Sequence, residues 1–215
     1  MKNIIYGSTG TVSVQSVIQQ LEKKGKVFHI SLEDTYQFQS LISKLSELRQ
    51  DNTEYTDLVI DSLDKLEMLL FKKIVGDYSA QVGSKVESIE HVDGGYGKGY
   101  VKAREKLADI LHGIDHYIIG ERKMRVWIVA SSELIEFKNP FGISYHKFSI
   151  RANKHIASLL EVWASNIYFA AESGLFDPST RVDGEVDIYI KSSIAYVAKN
   201  DGSVKTSKIS LNELV

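Results

Sequence analysis

Residues 1–14 read MKNIIYGSTGTVSV, and this stretch decides the fold of the chain. The apolar run that ends at Tyr6 predicts a short strand, and the turn that starts at Gly7 leads directly into a helical run from Gln15 to Lys24. A strand that passes straight into a helix is typical of an α/β domain with a mostly parallel sheet. We therefore expect the turn at the carboxyl end of the first strand, where open α/β sheets bind ligands.

The turn itself has the outline of a phosphate-binding loop. That pattern has two glycines, then Lys and Ser or Thr, because backbone N–H groups cradle the phosphates, the Lys reaches the β/γ oxygens and the hydroxyl binds Mg²⁺. Here its last three positions are Val12, Ser13 and Val14, so tight triphosphate binding loses a cation and a metal ligand while the architecture survives. The expected nucleotide contacts are Gly7, Ser8, Thr9, Gly10, Thr11, Val12, Ser13 and Val14.

Length and composition limit the classes of protein. The chain has 215 residues, 43% of them hydrophobic, which favours a single domain over residues 1–215 with a core up to about residue 172. It has no cysteine, its histidines lack metal-ligand spacing, and neither a long apolar run nor a signal peptide is visible, so we expect a cytoplasmic protein. Because the formal net charge is −2, any nucleic-acid binding has to come from a local patch.

Apolar runs of strand length alternate with stretches of helical period, which predicts a mostly parallel sheet flanked by helices. Apolar faces predict helices over 38–48, 63–74, 100–112 and 152–163. The predicted strands are Lys2 to Tyr6, Lys26 to Leu32, Asp57 to Asp61, Arg125 to Ser131 and Asn166 to Ala171.

Two segments depart from this alternation. Beyond about residue 173 we expect a C-terminal β-hairpin, since apolar residues alternate in 186–190 and 194–198 and Asn200-Asp201-Gly202 is a hairpin turn signal. From Gly76 to Gly99, six glycines and little apolar periodicity predict a long mobile loop.

Acidic residues follow two of the predicted strands. Asp61 is expected to hold the Mg²⁺ of a bound nucleotide, or else Asp61 or Ser62 caps the next helix. Glu33 and Asp34 follow the second strand at the same edge of the sheet. Glu33 is the candidate catalytic residue, which would polarise an attacking water; the alternative is a surface acid without function.

Two predicted loops combine positive charge with aromatic rings. The first ends in Gly95-Tyr96-Gly97-Lys98-Gly99-Tyr100, and the second lies between Glu136 and Lys154. Single-stranded nucleic acid is held in this way, by rings that stack on bases and by Lys or Arg that meet phosphates. Alternatively, the rings anchor the loops to the core. The expected DNA contacts are Tyr96, Lys98, Tyr100, Lys138, Phe141, Tyr145, Lys147 and Arg151.

In the order and spacing of its motifs, most of the chain resembles the phage-encoded RecA-like P-loop ATPases, a group that includes single-strand annealing recombination proteins. The turn from Gly7 to Val14 stands at the Walker A loop, and 58–62 (LVIDS) resembles the Walker B strand. Residues 127–133 (WIVASSE) resemble the sensor strand. The other matching pieces are 95–100 (GYGKGY), 139–142 (NPFG), 159–164 (LLEVWA) and 198–200 (AKN).

The resemblance implies a RecA-like core that assembles as a homo-oligomeric ring or filament in the host cytoplasm, with ATP and Mg²⁺ between protomers and DNA on the inner loops. Lys199 would reach a neighbouring protomer's nucleotide. The chain departs from the family at Val12, Ser13 and Val14, at Ser131, where a His or Gln senses the γ-phosphate, and at Asp201, which replaces Arg. Each departure removes a phosphate-directed group.

Three functions remain open. The first is a phage recombination protein that binds single-stranded DNA and promotes annealing or assists a recombinase, with weak or lost ATP hydrolysis; a host recombinase or single-strand binding protein is a further expected partner. The second is an inactive nucleotide-binding-fold subunit that acts as a protein-interaction or regulatory scaffold. The third is a working ATPase with an unorthodox phosphate loop, in which Lys98 or Lys199 supplies the missing cation.

Overall fold

The structure is a computed structural model that describes residues 1–8, 14–33, 35–140, 142–202 and 206–214. Short 3₁₀ helices lie at Ile89–Gly94, Pro178–Thr180 and Leu211–Glu213, and a π-helix at Ile114–Glu121 continues α4. The remaining elements of the described part are, in chain order, β1 (Lys2–Gly7), α1 (Val14–Glu22), β2 (Lys26–Ser31), α2 (Phe38–Gln50), β3 (Tyr55–Asp61), α3 (Leu63–Val82), α4 (Lys98–Gly113), β4 (Arg125–Phe137), β5 (Tyr145–Ile150), α5 (Lys154–Trp163), β6 (Asn166–Glu172), β7 (Val186–Tyr189) and β8 (Lys208–Ser210).

The described strands form one sheet in the order β2-β3-β4-β1-β6-β7-β8, with β5 paired to the far end of β4. The five strands from β2 to β6 in this order are parallel, whereas β7 and β8 are antiparallel additions. This confirms the predicted α/β class and the five predicted strands. β4 lies between the strand that ends in the glycine turn and the strand that ends in Asp61.

Both faces of the parallel sheet are covered, which explains why its strands are apolar at consecutive positions. In β1, Ile4 and Tyr6 face the larger core, which packs against α2 to α5. Ile5 between them faces a smaller core, to which α1 contributes Val17 and Leu21. All of these side chains are fully buried.

The predicted loop from Gly76 to Gly99 is wrong at its start, because residues 76–82 are helical. α3 continues to Val82 and ends at Gly83, whose positive φ of 69° is the left-handed conformation of a helix C-terminus. A side chain at Gly76 would meet no other atom within 4 Å, so this glycine lies on an open helix surface. The glycine count misled the prediction because a single exposed glycine weakens a helix only by about 1 kcal/mol.

The C-terminal hairpin is confirmed as β7 and β8, but its second strand is not the segment 194–198. In that segment Tyr196 and Ala198 are buried as the alternation predicts, yet it forms only isolated bridges. The physical reason is that hydroxyl side chains accept the backbone N–H groups: Ser193 accepts from Ala195, and Ser192 from Ala198.

None of the described helices is long and apolar enough to cross a membrane.

Candidate functional site at the carboxyl edge of the sheet

Strand register brings the ends of three parallel strands together. Gly7 of β1 pairs with Ser131 of β4, and Asp61 of β3 pairs with Val129, two residues earlier on β4. Ser31 at the end of β2 pairs with Asp61. The start of the glycine turn and the candidate metal ligand therefore share one edge, as the sequence predicted for an open α/β sheet.

Asp61 is largely buried, and its partner among the described residues is His29. Its side chain is 15% exposed, and His29 Nε2 lies 3.8 Å from its Oδ2. Burial raises the pKa of the Asp61 carboxyl, His29 opposes that rise, and the nearby carboxylates of Glu33 and Asp64 add to it. The helix cap comes instead from Ser62, whose Oγ accepts the Lys65 N–H at 3.4 Å.

The described part of the glycine turn consists of Gly7, Ser8 and Val14, and Thr9 to Ser13 lie outside the described residues. Ser8 Oγ and Ser132 Oγ are 3.3 Å apart, which ties the start of the turn to β4. Val14 begins α1 and packs against the smaller core.

Among the described residues, Asp61 offers an oxygen ligand to the metal of a magnesium nucleotide. Mg²⁺ in phosphate sites usually has one or two carboxylates and otherwise phosphate and water oxygens, which Asp61 alone can satisfy on the protein side. The side chain of Val14 has no oxygen that could bind the metal. No cluster of three or more acidic or imidazole ligands exists within the described ranges.

The first aromatic–basic segment surrounds the start of α4. Tyr96 is completely exposed and has a positive φ of 55°. Lys98 Nζ donates to the Asp93 carbonyl at 3.2 Å. Tyr100 stacks edge-on against Phe71 of α3, with 5.4 Å between the ring centroids, and its hydroxyl donates to Glu90 at 3.4 Å.

The first aromatic–basic segment lies beside a groove along α3. A groove of about 550 Å³ is walled by Asp64 and Glu67 of α3 on one side and by Ser88 and Ile89 on the other. The 3₁₀ helix Ile89–Gly94, which follows Ser88, therefore borders this groove.

The second aromatic–basic segment is a β-hairpin rather than a loop. β4 continues beyond the sheet and pairs antiparallel with β5 from Ser132–Ile150 to Phe137–Tyr145. The rings of Phe137 and Tyr145 are 5.0 Å apart, and Lys147 Nζ lies 5.1 Å from the Phe137 centroid. Lys138 is exposed near the tip, and Phe141 lies outside the described residues.

Arg151 at the base of the hairpin is held by an acid. Its Nε and guanidinium NH2 lie 2.7 Å and 2.6 Å from Asp64 Oδ1, and Asp64 Oδ2 accepts the Ser131 N–H at 3.1 Å. Glu67, one turn further along α3, accepts the Asn153 N–H at 2.6 Å. Burial raises the pKa of Glu67, and the Asn153 N–H opposes the rise. The first turns of α3 thus fasten the hairpin to the edge.

The two candidate catalytic residues lie apart. Glu33 is an exposed residue just after β2, close enough to Asp61 to influence its pKa, and its neighbour Asp34 lies outside the described residues. Lys199 Nζ donates to the carbonyls of Glu161 and Ala164 at 3.1 Å and 2.6 Å, at the C-terminus of α5. This contact is at the amino edge of the sheet, so within one protomer Lys199 does not approach Gly7.

Comparison with known families identifies the chain. The sequence profile of the AAA_24 family, described as an AAA domain, matches residues 12–201. The chain belongs to this family. Together with the strand order, in which β4 separates the glycine-turn strand from the Asp61 strand, membership confirms the RecA-like P-loop NTPase fold of the chain.

Comparison with solved structures found distant likenesses. The chain is similar to the RadB recombinase, with 9% identity and a TM-score of 0.43 over 87% of this chain and 78% of that one. It is also similar to the flagellar accessory protein FlaH from Methanocaldococcus jannaschii, with 11% identity and a TM-score of 0.43 over 97% of this chain and 83% of that one. Comparison with curated proteins found no match.

The sequence analysis did not predict the contacts that hold the β4–β5 hairpin to α3. Asp64 looked like an ordinary first-turn acid of α3, a position that acids favour at any helix N-terminus. Tyr36 also passed unnoticed, although it is 79% exposed and Lys65 Nζ lies 5.7 Å from its ring centroid. A cue was available for Tyr36, because an aromatic residue three positions after Glu33 follows a strand at the ligand-binding edge.

Proposed function

We propose that this chain is a phage DNA recombination protein that binds single-stranded DNA at the carboxyl edge of its sheet and promotes annealing or assists a recombinase. One observation carries the proposal: the β-hairpin that continues β4 beyond the edge formed by Gly7 and Asp61 carries aromatic rings and cations. The first aromatic–basic segment adds the fully exposed ring of Tyr96. The hairpin offers Phe137, Tyr145 and Lys147 as one contiguous group. Rings that stack on bases and cations that meet phosphates bind single strands without sequence preference.

ATP hydrolysis is proposed to be weak or lost. The turn lacks the usual Lys and hydroxyl, since Ser13 and Val14 stand at those positions. Asp61 remains available for a magnesium nucleotide, so ATP binding without turnover is compatible with the site. Assembly as a homo-oligomer, in which Lys199 or Lys98 of one protomer faces the nucleotide of the next, would restore a cation.

One titration tests both parts. The purified chain is titrated with a fluorescent oligo-dT at low salt, with and without ATP and Mg²⁺, while anisotropy and released phosphate are followed in the same sample. We expect binding with little or no phosphate release. Absence of binding at low salt would overturn the proposal, because the phosphate contribution is strongest there.

Three substitutions test the residues. Tyr96→Ala, Lys98→Ala and Lys147→Ala should each weaken oligo-dT binding, and loss of one stacked ring costs about 1 to 3 kcal/mol. Lys23→Ala is the matched control, because Lys23 follows α1 and contacts Gln20 rather than either segment. Equal affinity in all three variants would contradict the assignment of these segments to DNA.

A scaffold role is the second candidate, and a groove favours it. An opening of about 540 Å³ lies between α2, α4 and the π-helix, with Phe38, Ile42 and Ile114 in its wall. Grooves of this kind accept the apolar face of a partner helix. A stable hetero-complex of the chain, combined with no affinity for oligo-dT in isolation, would make this role the better explanation.

A further inference from the structure

A ring–cation pair at the carboxyl edge belongs to neither aromatic–basic segment. It consists of Tyr36, just before α2, and Lys65, in the first turn of α3. Lys65 Nζ lies 5.7 Å from the centroid of the Tyr36 ring, and 79% of Tyr36 is exposed. Within the described ranges, no carboxylate forms an ion pair with Lys65. One face of the ring therefore borders an ammonium group, and much of the rest is open to solvent.

The backbone that carries Tyr36 is anchored on both sides. The Leu32 N–H donates to the Asp61 carbonyl at 2.7 Å, and the Thr35 N–H donates to the Leu32 carbonyl at 3.1 Å. Thr35 and Phe38, which flank Tyr36 and its neighbour, are both buried. Stacking of a ligand on this ring therefore costs little conformational entropy in the segment that carries it.

The pair adjoins the contacts that hold the hairpin. Lys65 follows Asp64, whose carboxylate binds Arg151 at the hairpin base and the Ser131 N–H at the end of β4. The first turn of α3 therefore connects the Tyr36 ring with the hairpin base. The Asp61 carbonyl, which holds Leu32, ties the same segment to the candidate nucleotide site.

We infer that Tyr36 and Lys65 form a nucleobase-binding site, in which a base stacks on the ring and the adjoining phosphate meets the ammonium group. The chemistry is that of single-strand binding platforms, where aromatic faces take bases and nearby cations take the backbone. The inference rests on the proposed function. Its occupant is either a base of the single strand or the base of a free nucleotide, since both carry a ring next to phosphate.

Two titrations distinguish the occupants. Wild type, Tyr36→Ala, Tyr36→Phe and Lys65→Ala are each titrated with fluorescent oligo-dT and, separately, with ATP that carries a fluorescent ribose label. If the strand occupies the site, Tyr36→Ala weakens oligo-dT binding about 5- to 150-fold and Tyr36→Phe retains it. Lys65→Ala then lowers the slope of log affinity against log salt by about 1. If the nucleotide occupies the site, labelled ATP shows the loss and oligo-dT does not.

Tyr78→Ala is the matched control. Lys102 Nζ lies 5.5 Å from the Tyr78 ring, which repeats the ring–cation geometry, but this ammonium group also pairs with Asp93 at 3.4 Å. Tyr78 is thirteen residues beyond Lys65 on α3, about 20 Å further along the helix axis and away from the carboxyl edge. We expect Tyr78→Ala to bind both ligands as wild type does. A loss as large as that of Tyr36→Ala would overturn the inference.

The same data separate two kinds of failure. If wild type binds oligo-dT and Tyr36→Ala binds both ligands equally well, the nucleobase site is wrong while the proposed function stands. If wild type binds neither oligo-dT nor labelled ATP, both fail together. Because Tyr36 is exposed, unchanged thermal unfolding of Tyr36→Ala is expected and confirms that any loss of affinity is not misfolding.

Discussion

Strand β3 carries an aspartate toward each end, and the two carboxylates differ in the number and distance of their hydrogen-bond donors. Asp57 is fully buried and is fully paired: Arg125 donates to both of its oxygens at 2.8 Å, Trp127 Nε1 donates at 2.9 Å and Thr56 Oγ1 donates at 2.7 Å. Asp61 is largely buried, and its partner among the described residues is His29, at 3.8 Å. Asp57 is thus a structural carboxylate, whereas the described surroundings of Asp61 hold it far less closely.

The difference follows from the position of each residue on the strand. Asp57 is covered by the side chains of β4, so its donors come from the same fold that buries it. Asp61 ends its strand at the open edge, where Glu33 and Asp64 add negative charge rather than donors. If the proposed magnesium nucleotide binds at this edge, the ligand brings the positive charge that the edge lacks.

Substitution of Asp57 should give the largest effect. Asp57→Asn removes the charge that balances Arg125 and leaves a buried donor without a proper acceptor. We expect a loss of about 3 kcal/mol in the free energy of unfolding, as is usual when one partner of a buried ion pair is removed. Urea denaturation measures it. A loss below about 0.5 kcal/mol would show that Asp57 does not hold the core together.

Substitution of Asp64 tests the other acid of the carboxyl edge. Asp64→Asn weakens the hold on Arg151 and removes a negative charge next to the proposed DNA path. We expect oligo-dT affinity to rise about fivefold, roughly the 1 kcal/mol that a partly exposed ion pair is worth.

The double variant Asp64→Asn with Arg151→Ala supplies the control for that gain. If the released Arg151 carries it, the double variant loses most of the increase. A gain that persists without Arg151 would assign the effect to the lost negative charge alone.

Substitution of Asp61 should give the smallest effect, and with the opposite sign to Asp57. Because the folded state raises the pKa of Asp61, its ionised form costs stability at neutral pH. Asp61→Asn should therefore raise the Tm at pH 7, at about 2–4 °C per kcal/mol for a chain of this size. The sign follows from linkage: the stabilising contribution of the wild-type group is complete below the unfolded pKa and is lost as pH rises through the folded pKa. The difference in Tm should accordingly shrink as the pH falls toward 3.8.

Asp177→Asn is the control for the sign. Hydrogen bonds from Ser179 lower the pKa of Asp177, so its contribution is present above the unfolded pKa and is lost as pH falls. Its substitution should lower the Tm at pH 7 rather than raise it. Differential scanning calorimetry at several pH values measures the Tm of both variants and of the wild type. If both substitutions change the Tm at pH 7 in the same direction, the opposite pKa shifts of Asp61 and Asp177 are wrong.

Local patterns were sufficient for most of the fold. The five parallel strands were predictable because strands covered on both faces are continuously apolar over a few residues. The same local signals failed from 76 to 82, where an exposed glycine did not end a helix. They failed again at 194–198, where serine hydroxyls replaced ladder hydrogen bonds.

The candidate site was predictable only in part. Gly7 and Asp61 were found from sequence because each follows an apolar strand, and parallel strands end at one edge. The role of Lys199 in holding the C-terminus of α5 was not visible, since its partners Glu161 and Ala164 are 38 and 35 residues away. A linear pattern does not show that a lysine contacts carbonyls at a helix C-terminus within its own protomer.

The sequence by itself determined the α/β class, the parallel strands, the glycine turn and the absence of the usual phosphate-loop lysine, because these depend on neighbours within one element. Tertiary structure alone decided that Asp64 binds Arg151 across 87 residues and that Lys65 meets the Tyr36 ring. It also decided that Asp57 has several close donors, whereas the described partner of Asp61 is His29 at 3.8 Å. These pairings depend on strand order and on the direction in which each side chain leaves the sheet. Both are set when the whole core packs, not by the residues on either side.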